Sequence, residues 1–225
     1  MNAVAIMPFA GLGAVLGLDV VSFPQAMISR PIVAATVAGA FAGDAHRGLV
    51  IGAVLELIAL GTLPFGASRY PEWGSASVVG GAMYASGARA PTGHLALAVL
   101  AALTAALLSG QSMVWLRMLN ARWARAARDA AVTDARAVVL GLQLRGLVGD
   151  LLRGGLVTAA ALAVLTPAYQ VLGPRWHGSA AVERAVLAGL TAALGAATIW
   201  MLVRGTSGTR LLIVVGLAVG IVWVL

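Results

Sequence analysis

Stretches of membrane-crossing length constrain this chain more than any other feature. A helix needs about 20 predominantly apolar residues to cross the hydrocarbon core of a bilayer. Residues 94–116, 151–172 and 182–203 meet that requirement, and 211–225 does so with slight help from its flank. Residues 4–21 are glycine-rich but long enough, and small residues suit close packing of membrane helices. The sequence therefore predicts an all-α integral membrane protein, a polytopic helical bundle.

The composition indicates that lipid surrounds most of the protein surface. The chain is 60% hydrophobic and 10% charged, whereas about 25% of residues are charged in an ordinary soluble domain. The net charge of +7 does not indicate nucleic acid, because the arginines lie between apolar runs, as the positive-inside rule requires. The basic segment 117–136 is expected to be an amphipathic connection at the cytoplasmic surface. Segment 94–116 then runs inward and 151–172 outward.

The region from residue 22 to residue 87 has a different pattern, because its apolar runs are short and interrupted by prolines and glycines. Runs 31–43 and 76–87 are too short to span upright, which predicts broken or re-entrant helices. Such backbone is stable at membrane depth only when it is buried in protein or lines a wet cavity. Paired interrupted segments are the best sequence pointer to the binding site of a transporter.

We therefore expect one membrane domain, 1–225. Within it, residues 1–90 form the broken-helix half with the polar site, and 137–225 form a second half. Residues 137–150 are mixed in polarity and are expected to form another broken or surface helix. The halves share no convincing identity, and whether they form an inverted repeat stays open, since such repeats can be invisible in sequence.

Cysteine and histidine usage argues against several kinds of site. The chain has no cysteine, so disulfides and thiolate metal sites are excluded. Its three histidines, His46, His94 and His177, are far apart in sequence, which makes a metal cluster improbable. We expect no metal, no cofactor and no catalytic residue in this chain.

Glu56 is the acid most in need of an explanation. It lies in the middle of the apolar run VLELIALG, where a charged side chain costs about 2.5–3.5 kcal/mol on insertion scales. One interpretation is a structural partner, such as Arg30 or a backbone amide. The other interpretation is a ligand for a substrate hydroxyl. It is favoured because ionisable residues inside a membrane usually have a functional role.

Two further segments carry polar residues near these short helices. Asp19, Gln25 and Arg30 lie in a connection broken by prolines, which is either an ordinary loop or a source of side chains for a cavity. Asp44 is expected to cap the next helix or to pair with Arg47.

The stretch GTLPFGASRYPEWG is small, bent and aromatic, which suits a close approach to a ligand. We interpret its Tyr70 and Trp73 first as interfacial anchors and second as stacking surfaces for a sugar.

The segment from Ile28 to Glu72 resembles component IIC of the mannose/fructose/sorbose-type phosphoenolpyruvate-dependent sugar phosphotransferase system. The resemblance rests on Arg30–Pro31, on Gly43–Asp44, on the run that holds Glu56, and on FGAS followed by a proline and an acid. It covers residues 10–90 well, and the remainder is similar mainly in hydropathy. A histidine often precedes the Arg-Pro pair in the family, whereas Ser29 occupies that place here.

The resemblance implies a substrate-binding set centred on a hydroxyl-binding pair. Gln25 and Glu56 would form that pair, with Gly66 and Ala67 lining the site. Asp19 and Glu72 are further candidate substrate-binding residues, Asp19 matching the acid that family members carry before the Arg-Pro pair. Arg30, Pro31 and Asp44 are assigned structural roles.

The resemblance also implies partners and a location. The chain would be a multi-pass permease subunit of a bacterial cytoplasmic (inner) membrane, oligomeric and joined to a IID membrane subunit. Soluble IIA and IIB components would phosphorylate the sugar, so no phosphorylated residue is expected here. Two alternatives remain: a stand-alone ion-coupled carrier or channel, and a non-transporting assembly or sensor subunit.

Overall fold

The computed structural model describes residues 3–19, 22–62, 69–87 and 93–175, together with six separate positions between 181 and 199. The expected spans 182–203 and 211–225 therefore lie outside the described residues, apart from those separate positions, as do Gly66 and Ala67. Regular structure in the described part is helical throughout. Its elements are α1 (Ala3–Leu18), α2 (Pro31–Phe41), α3 (Ala45–Ala59), α4 (Trp73–Ser86), α5 (Gly93–Ala126), α6 (Arg128–Thr133), α7 (Ala135–Leu172) and a final 3₁₀ turn, Gly173–Arg175.

Helices α5 and α7 are long and apolar enough to cross a membrane. Their 34 and 38 residues give lengths of roughly 51 and 57 Å at 1.5 Å per residue, well beyond the ~30 Å hydrocarbon core. The two helices pack against each other and are joined by the short α6. Their joined ends therefore extend past the bilayer, where the basic segment 117–136 was expected.

The prediction of a separate broken or surface helix over 137–150 is wrong, because these residues form the first part of the continuous α7. The Asp134 side chain caps that helix by accepting a hydrogen bond from the Ala137 amide at 3.1 Å. Nine of the 16 residues from Ala135 to Asp150 are alanine, leucine, arginine or glutamine, which are strong helix formers, against three glycines. Local propensity and the cap thus carry the helix through its polar residues.

Helices α2 and α3 form a hairpin of two short helices. The turn between them contains Gly43 at φ 95°, in the left-handed region that glycine adopts without strain. The Asp44 side chain then caps α3 by accepting from the Arg47 amide at 3.0 Å, and it also pairs with the Arg47 guanidinium. The expected role of Asp44 is confirmed. With 11 residues, α2 is too short to span.

Helix α4 lies at the centre of the described bundle and packs against α1, α2, α3, α5 and α7. Twelve of its 14 residues are buried. Small residues allow this approach: a Cβ atom at Gly81 would lie 2.4 Å from the Ala35 carbonyl oxygen of α2, and one at Gly74 would lie 2.4 Å from that of Leu16 in α1. The start of α4, with Glu72, is consequently placed deep in the protein.

Candidate functional site

The connection between α1 and α2 is organised by the buried carboxylate of Asp19. One of its oxygens accepts the Ala26 amide at 2.6 Å, and the other accepts the amide and hydroxyl of Ser29 at 3.0 and 2.8 Å. Burial by itself raises the pKa of this carboxyl, but the hydrogen bonds from Ser29 and Ala26 outweigh burial and hold the pKa below its usual range. Asp19 therefore ties both ends of a compact loop together as an ionised group.

Gln25 lies on that loop in an uncommon backbone conformation. Its φ is 59° and that of Met27 is 61°, in the left-handed region that residues other than glycine seldom adopt. A strained backbone conformation of this kind persists only where surrounding contacts hold it in place. Such conformations are concentrated at functional sites. The bonds to Asp19 on either side of Met27 supply that constraint, and the Gln25 side chain is exposed.

Glu56 in α3 has both of the structural partners that the sequence suggested for it. Its carboxylate forms an ion pair with the Arg30 guanidinium and accepts a hydrogen bond from the Ile32 amide at 3.2 Å. Glu56 thereby caps α2, whose own N-cap residue, Arg30, makes no side-chain cap. The pair is not sealed, because the Arg30 and Glu56 side chains are 36% and 16% exposed.

The structure links four of the sequence-predicted residues through one loop. Asp19 closes the loop that carries Gln25, and that loop ends at Arg30, which holds Glu56. This set, Asp19, Gln25, Arg30 and Glu56, is called the open pair region below. It offers a carboxylate, a guanidinium and a primary amide at partly exposed positions, which together can donate to and accept from the hydroxyls of a polyol.

Glu72 belongs to a different group. It is fully buried at the start of α4, and its carboxylate accepts hydrogen bonds from the Ser75 hydroxyl at 2.5 Å and the Ser109 hydroxyl at 2.6 Å. It also accepts the Ser75 amide, as an N-cap does. These bonds occupy Glu72 within the protein, so its predicted contact with a substrate stays a prediction that the geometry does not favour.

The partners of Glu72 were not predicted from sequence. Arg153 in α7 donates to Ser109 at 2.7 Å and to Asp150 at 2.8 Å, and it lies 3.9 Å from Glu72. Asp150 in turn accepts the Ser22 hydroxyl at 2.5 Å. We call this set, Glu72, Ser109, Asp150 and Arg153, the sealed cluster. The sequence signal was an acid and an arginine three residues apart at the start of an apolar run, which places them on one helix face.

Tyr70 and Trp73 are buried in the protein and do not lie exposed as interfacial anchors. The Trp73 indole donates to the Thr62 hydroxyl at 3.0 Å. The Tyr70 hydroxyl accepts from Arg117 at 2.5 Å, and the guanidinium lies 5.1 Å from the ring centroid. Both aromatic residues therefore fix the chain that leads into α4.

A cavity of about 670 Å³ opens between α5, α7 and the loop after α1. Its lining is mixed: Ser22 and Phe23 come from the loop, and polar and apolar side chains come from both helices. It adjoins the sealed cluster through Asp150. Within the described ranges, no group of three or more histidine and acidic side chains could hold a metal ion.

Known proteins of one family match this chain. The family model described as the sorbose-specific IIC component of the phosphotransferase system matches residues 2–216. The sorbose-specific EIIC component of Klebsiella pneumoniae is 31% identical over 139 residues, covering 60% of this chain and 48% of that protein. The mannose-specific EIIC component of Escherichia coli K12 is 32% identical over 90 residues, or 40% of this chain and 31% of that protein. Each match thus spans about half or less of the relative.

Solved structures share the fold. One, described as the structure of a membrane protein, has a TM-score of 0.68 and 19% identity, with 98% of this chain and 87% of that chain covered. Another comes from the complex of the mannose transporter ManYZ with microcin E492, with a TM-score of 0.62 and the same identity and coverage. Together with the helical bundle, these findings show an all-α membrane protein, and the chain belongs to the sorbose-specific IIC component family of the phosphotransferase system.

Proposed function

We propose that this protein is the IIC permease subunit of a mannose-type sugar phosphotransferase system, and that it translocates a sugar that is phosphorylated as it enters the cell. The observation that carries the proposal is the partly exposed Glu56 carboxylate, held by Arg30 beside the ordered loop of Gln25. Family membership supports the same conclusion. The substrate is a hexose-like polyol, the class of molecule that such a set of groups recognises.

The chemistry of the open pair region fits reversible binding of hydroxyl groups. A carboxylate can accept hydrogen bonds from two hydroxyl groups at once, and hydrogen bonds to charged groups contribute about 1.5–3 kcal/mol each. The Gln25 amide can both donate and accept. Arg30 and the Ile32 amide orient the Glu56 carboxylate in the absence of sugar, so binding requires little reorganisation. Gly66 and Ala67 would line the same site, as the family resemblance implies.

The proposal includes partners and a location. The chain would lie in a bacterial cytoplasmic membrane as a multi-pass subunit and assemble with a IID membrane subunit into an oligomer. Soluble IIA and IIB components would carry the phosphoryl group. The solved ManYZ complex, whose fold this chain shares, supports a two-component membrane assembly.

The test is Glu56→Gln in a strain that expresses the whole system. We expect at least a tenfold loss in uptake of labelled mannose, fructose or sorbose with normal abundance in the membrane, because the variant keeps the volume of the side chain and loses its charge. Asp44→Asn on the same helix is the matched control and should transport normally. Normal uptake by Glu56→Gln would contradict the site assignment. Transport of sugar or ions by the purified chain alone would favour the stand-alone carrier instead.

A further inference from the structure

The cavity between α5 and α7 has the size and composition of a small-molecule site. Its volume of about 670 Å³ lies within the ~300–1,000 Å³ range of ligand pockets. Polar groups reach it from three elements: Ser22 from the loop, Asn120 from α5, and Gln143 and Asp150 from α7. Trp123 adds an aromatic side chain. Hydroxyl-binding groups beside an aromatic ring are the combination that a sugar ring requires, since its edge is polar and its faces are apolar.

The charges of the lining favour a neutral ligand over an ion. Asp150 is paired with Arg153 at 2.8 Å, and Arg117 donates to the Tyr70 hydroxyl. The acid and the base that face the cavity are therefore both committed to partners in the protein. Asn120 is different: its side-chain oxygen is buried and accepts no hydrogen bond from any described residue. Buried polar atoms in native proteins are nearly always paired, so the Asn120 amide would have to turn toward the cavity for a ligand hydroxyl to reach this oxygen.

The position of the cavity relates it to the open pair region without merging the two. Ser22 and Phe23 line the cavity, and Gln25 lies two residues further along the same loop. The other lining residues fall where α5 and α7 leave the membrane on the basic side of the chain. Under the positive-inside rule that side is cytoplasmic. On that topology the cavity lies toward the cytoplasmic ends of α5 and α7, and the loop that carries Gln25 contributes to its lining.

We infer that this cavity is a second binding site for a neutral monosaccharide, which the sugar occupies after it leaves Gln25 and Glu56 and before it reaches the cytoplasm. The inference rests on the proposed function and adds a second, inner binding site to the path of the sugar. Sugar bound there would contact Asn120 and Gln143 with its hydroxyls and Trp123 with a ring face. Two sugars could then occupy one chain at saturation.

Two glycines of α7 provide a matched test. A Cβ atom at Gly146, which lines the cavity, would meet only the Asn120 side chain, with the amide nitrogen at 3.5 Å and Cγ at 4.0 Å, and one at Gly141 would meet nothing within 4 Å. Both positions accept a Cβ atom without a clash, and leucine is a better helix former than glycine at each. Gly146→Leu places a leucine side chain inside the cavity and against Asn120, whereas Gly141→Leu adds the same side chain outside it.

The experiment is saturation binding of labelled mannose, fructose and sorbose to the full chain with its membrane partner in nanodiscs, together with uptake in cells. We expect two bound sugars per chain for the unmodified protein and for Gly141→Leu, and one for Gly146→Leu. Uptake by Gly146→Leu should fall roughly tenfold. Glu56→Gln should lose the other sugar and keep the one in the cavity.

The outcomes separate the two proposals. Equal sugar counts and equal uptake for the two leucine variants would overturn the inner site and leave the role of Glu56 intact. Loss of the membrane partner from Gly146→Leu, with its sugar count unchanged, would identify the cavity as a protein interface and also overturn the inference. Normal uptake and an unchanged sugar count in Glu56→Gln would instead contradict the proposed outer site, whatever the result at Gly146.

Discussion

The open pair region and the sealed cluster use the same chemical groups in opposite ways. Each joins an arginine to a carboxylate from another helix, yet Arg30 and Glu56 are 36% and 16% exposed, whereas the Arg153 and Glu72 side chains are 7% and 0% exposed. The ion pair of the open pair region has a single arginine, Arg30, and a single acid, Glu56. The sealed cluster has two acids around one arginine, supported by the hydroxyls of Ser75 and Ser109. The Arg30–Glu56 pair is therefore accessible enough to exchange partners, whereas the buried Arg153–Glu72 pair is not.

This difference in exposure indicates different roles for the two regions. The sealed cluster joins the start of α4 to α5 and α7, so it holds helices at fixed distances. The open pair joins only neighbouring segments, α2 and α3, which already pack through Gly39 and Gly48. Its loss should change binding more than stability. Substitutions in the two regions test this distinction.

The largest effect is expected for Arg153→Leu. Removing one member of a buried charged pair costs about 3–5 kcal/mol, because the partner is left charged without compensation, and here two acids lose their shared partner. We expect the variant to accumulate poorly and to unfold at much lower denaturant concentration in mixed micelles. Arg145→Leu, an exposed arginine on the same helix, is the control and should behave like the unmodified protein. Normal stability of Arg153→Leu would remove the distinction between the regions.

A smaller loss is expected for Asp19→Ala. The change leaves the amides of Ala26 and Ser29 without their acceptor, and an unsatisfied buried donor costs about 1–3 kcal/mol. Sugar affinity should fall more than the maximal uptake rate, because the loop that presents Gln25 loosens. The measurement is the concentration dependence of uptake, with Asp129→Ala on α6 as the control. An unchanged half-saturation concentration would show that the loop does not position Gln25.

The same residue gives a pH expectation with a definite sign. The folded-state pKa of Asp19 lies below its ordinary value of 3.8, so the stability it contributes is fully present above that value. It is lost only as the pH falls through the lower folded-state pKa. Sugar affinity should therefore carry no Asp19-dependent titration between pH 5 and pH 8. A titration in that range that disappears in Asp19→Asn would contradict the assignment.

Arg30→Met should destabilise the protein less than Arg153→Leu does, because Arg30 and Glu56 are partly exposed whereas Arg153 and Glu72 are buried. It should nevertheless alter sugar affinity, since Glu56 loses the group that orients it. Thermal unfolding and sugar binding, measured on the same preparation, separate the two effects. A loss of stability as large as that of Arg153→Leu would show that the open pair is structural after all.

The smallest effect is expected for Asp44→Asn, since asparagine caps a helix about as well as aspartate. A change in midpoint temperature of about one degree or less is expected by thermal unfolding. Asp44→Ala, which removes the cap that Arg47 donates to, should cost about 1 kcal/mol. Equal behaviour of the two variants would show that the cap does not stabilise α3.

The sequence was sufficient for features that local chemistry decides. The short α2, the cap at Asp44 and the partners of Glu56 all follow from prolines, cap residues and the cost of an acid in an apolar run. The sealed cluster could not be predicted, because it depends on the packing of α4, α5 and α7, which brings Glu72 next to Arg153 across the bundle. The continuity of α7 was missed because the polarity of residues 137–150 was given more weight than their helix propensity.

The order of residues along the chain determines when each of the two regions can form during synthesis. Arg30 precedes Glu56, so the open pair can form as soon as the α2–α3 hairpin leaves the ribosome. Arg153 follows Glu72 by about 80 residues, which at roughly 5–20 residues per second means several seconds. During that time Glu72 has been synthesised but its partner Arg153 has not. This acid therefore stays near the membrane surface or in the insertion machinery until α7 is made. Completion of α7 is therefore the step that commits α4 to its place.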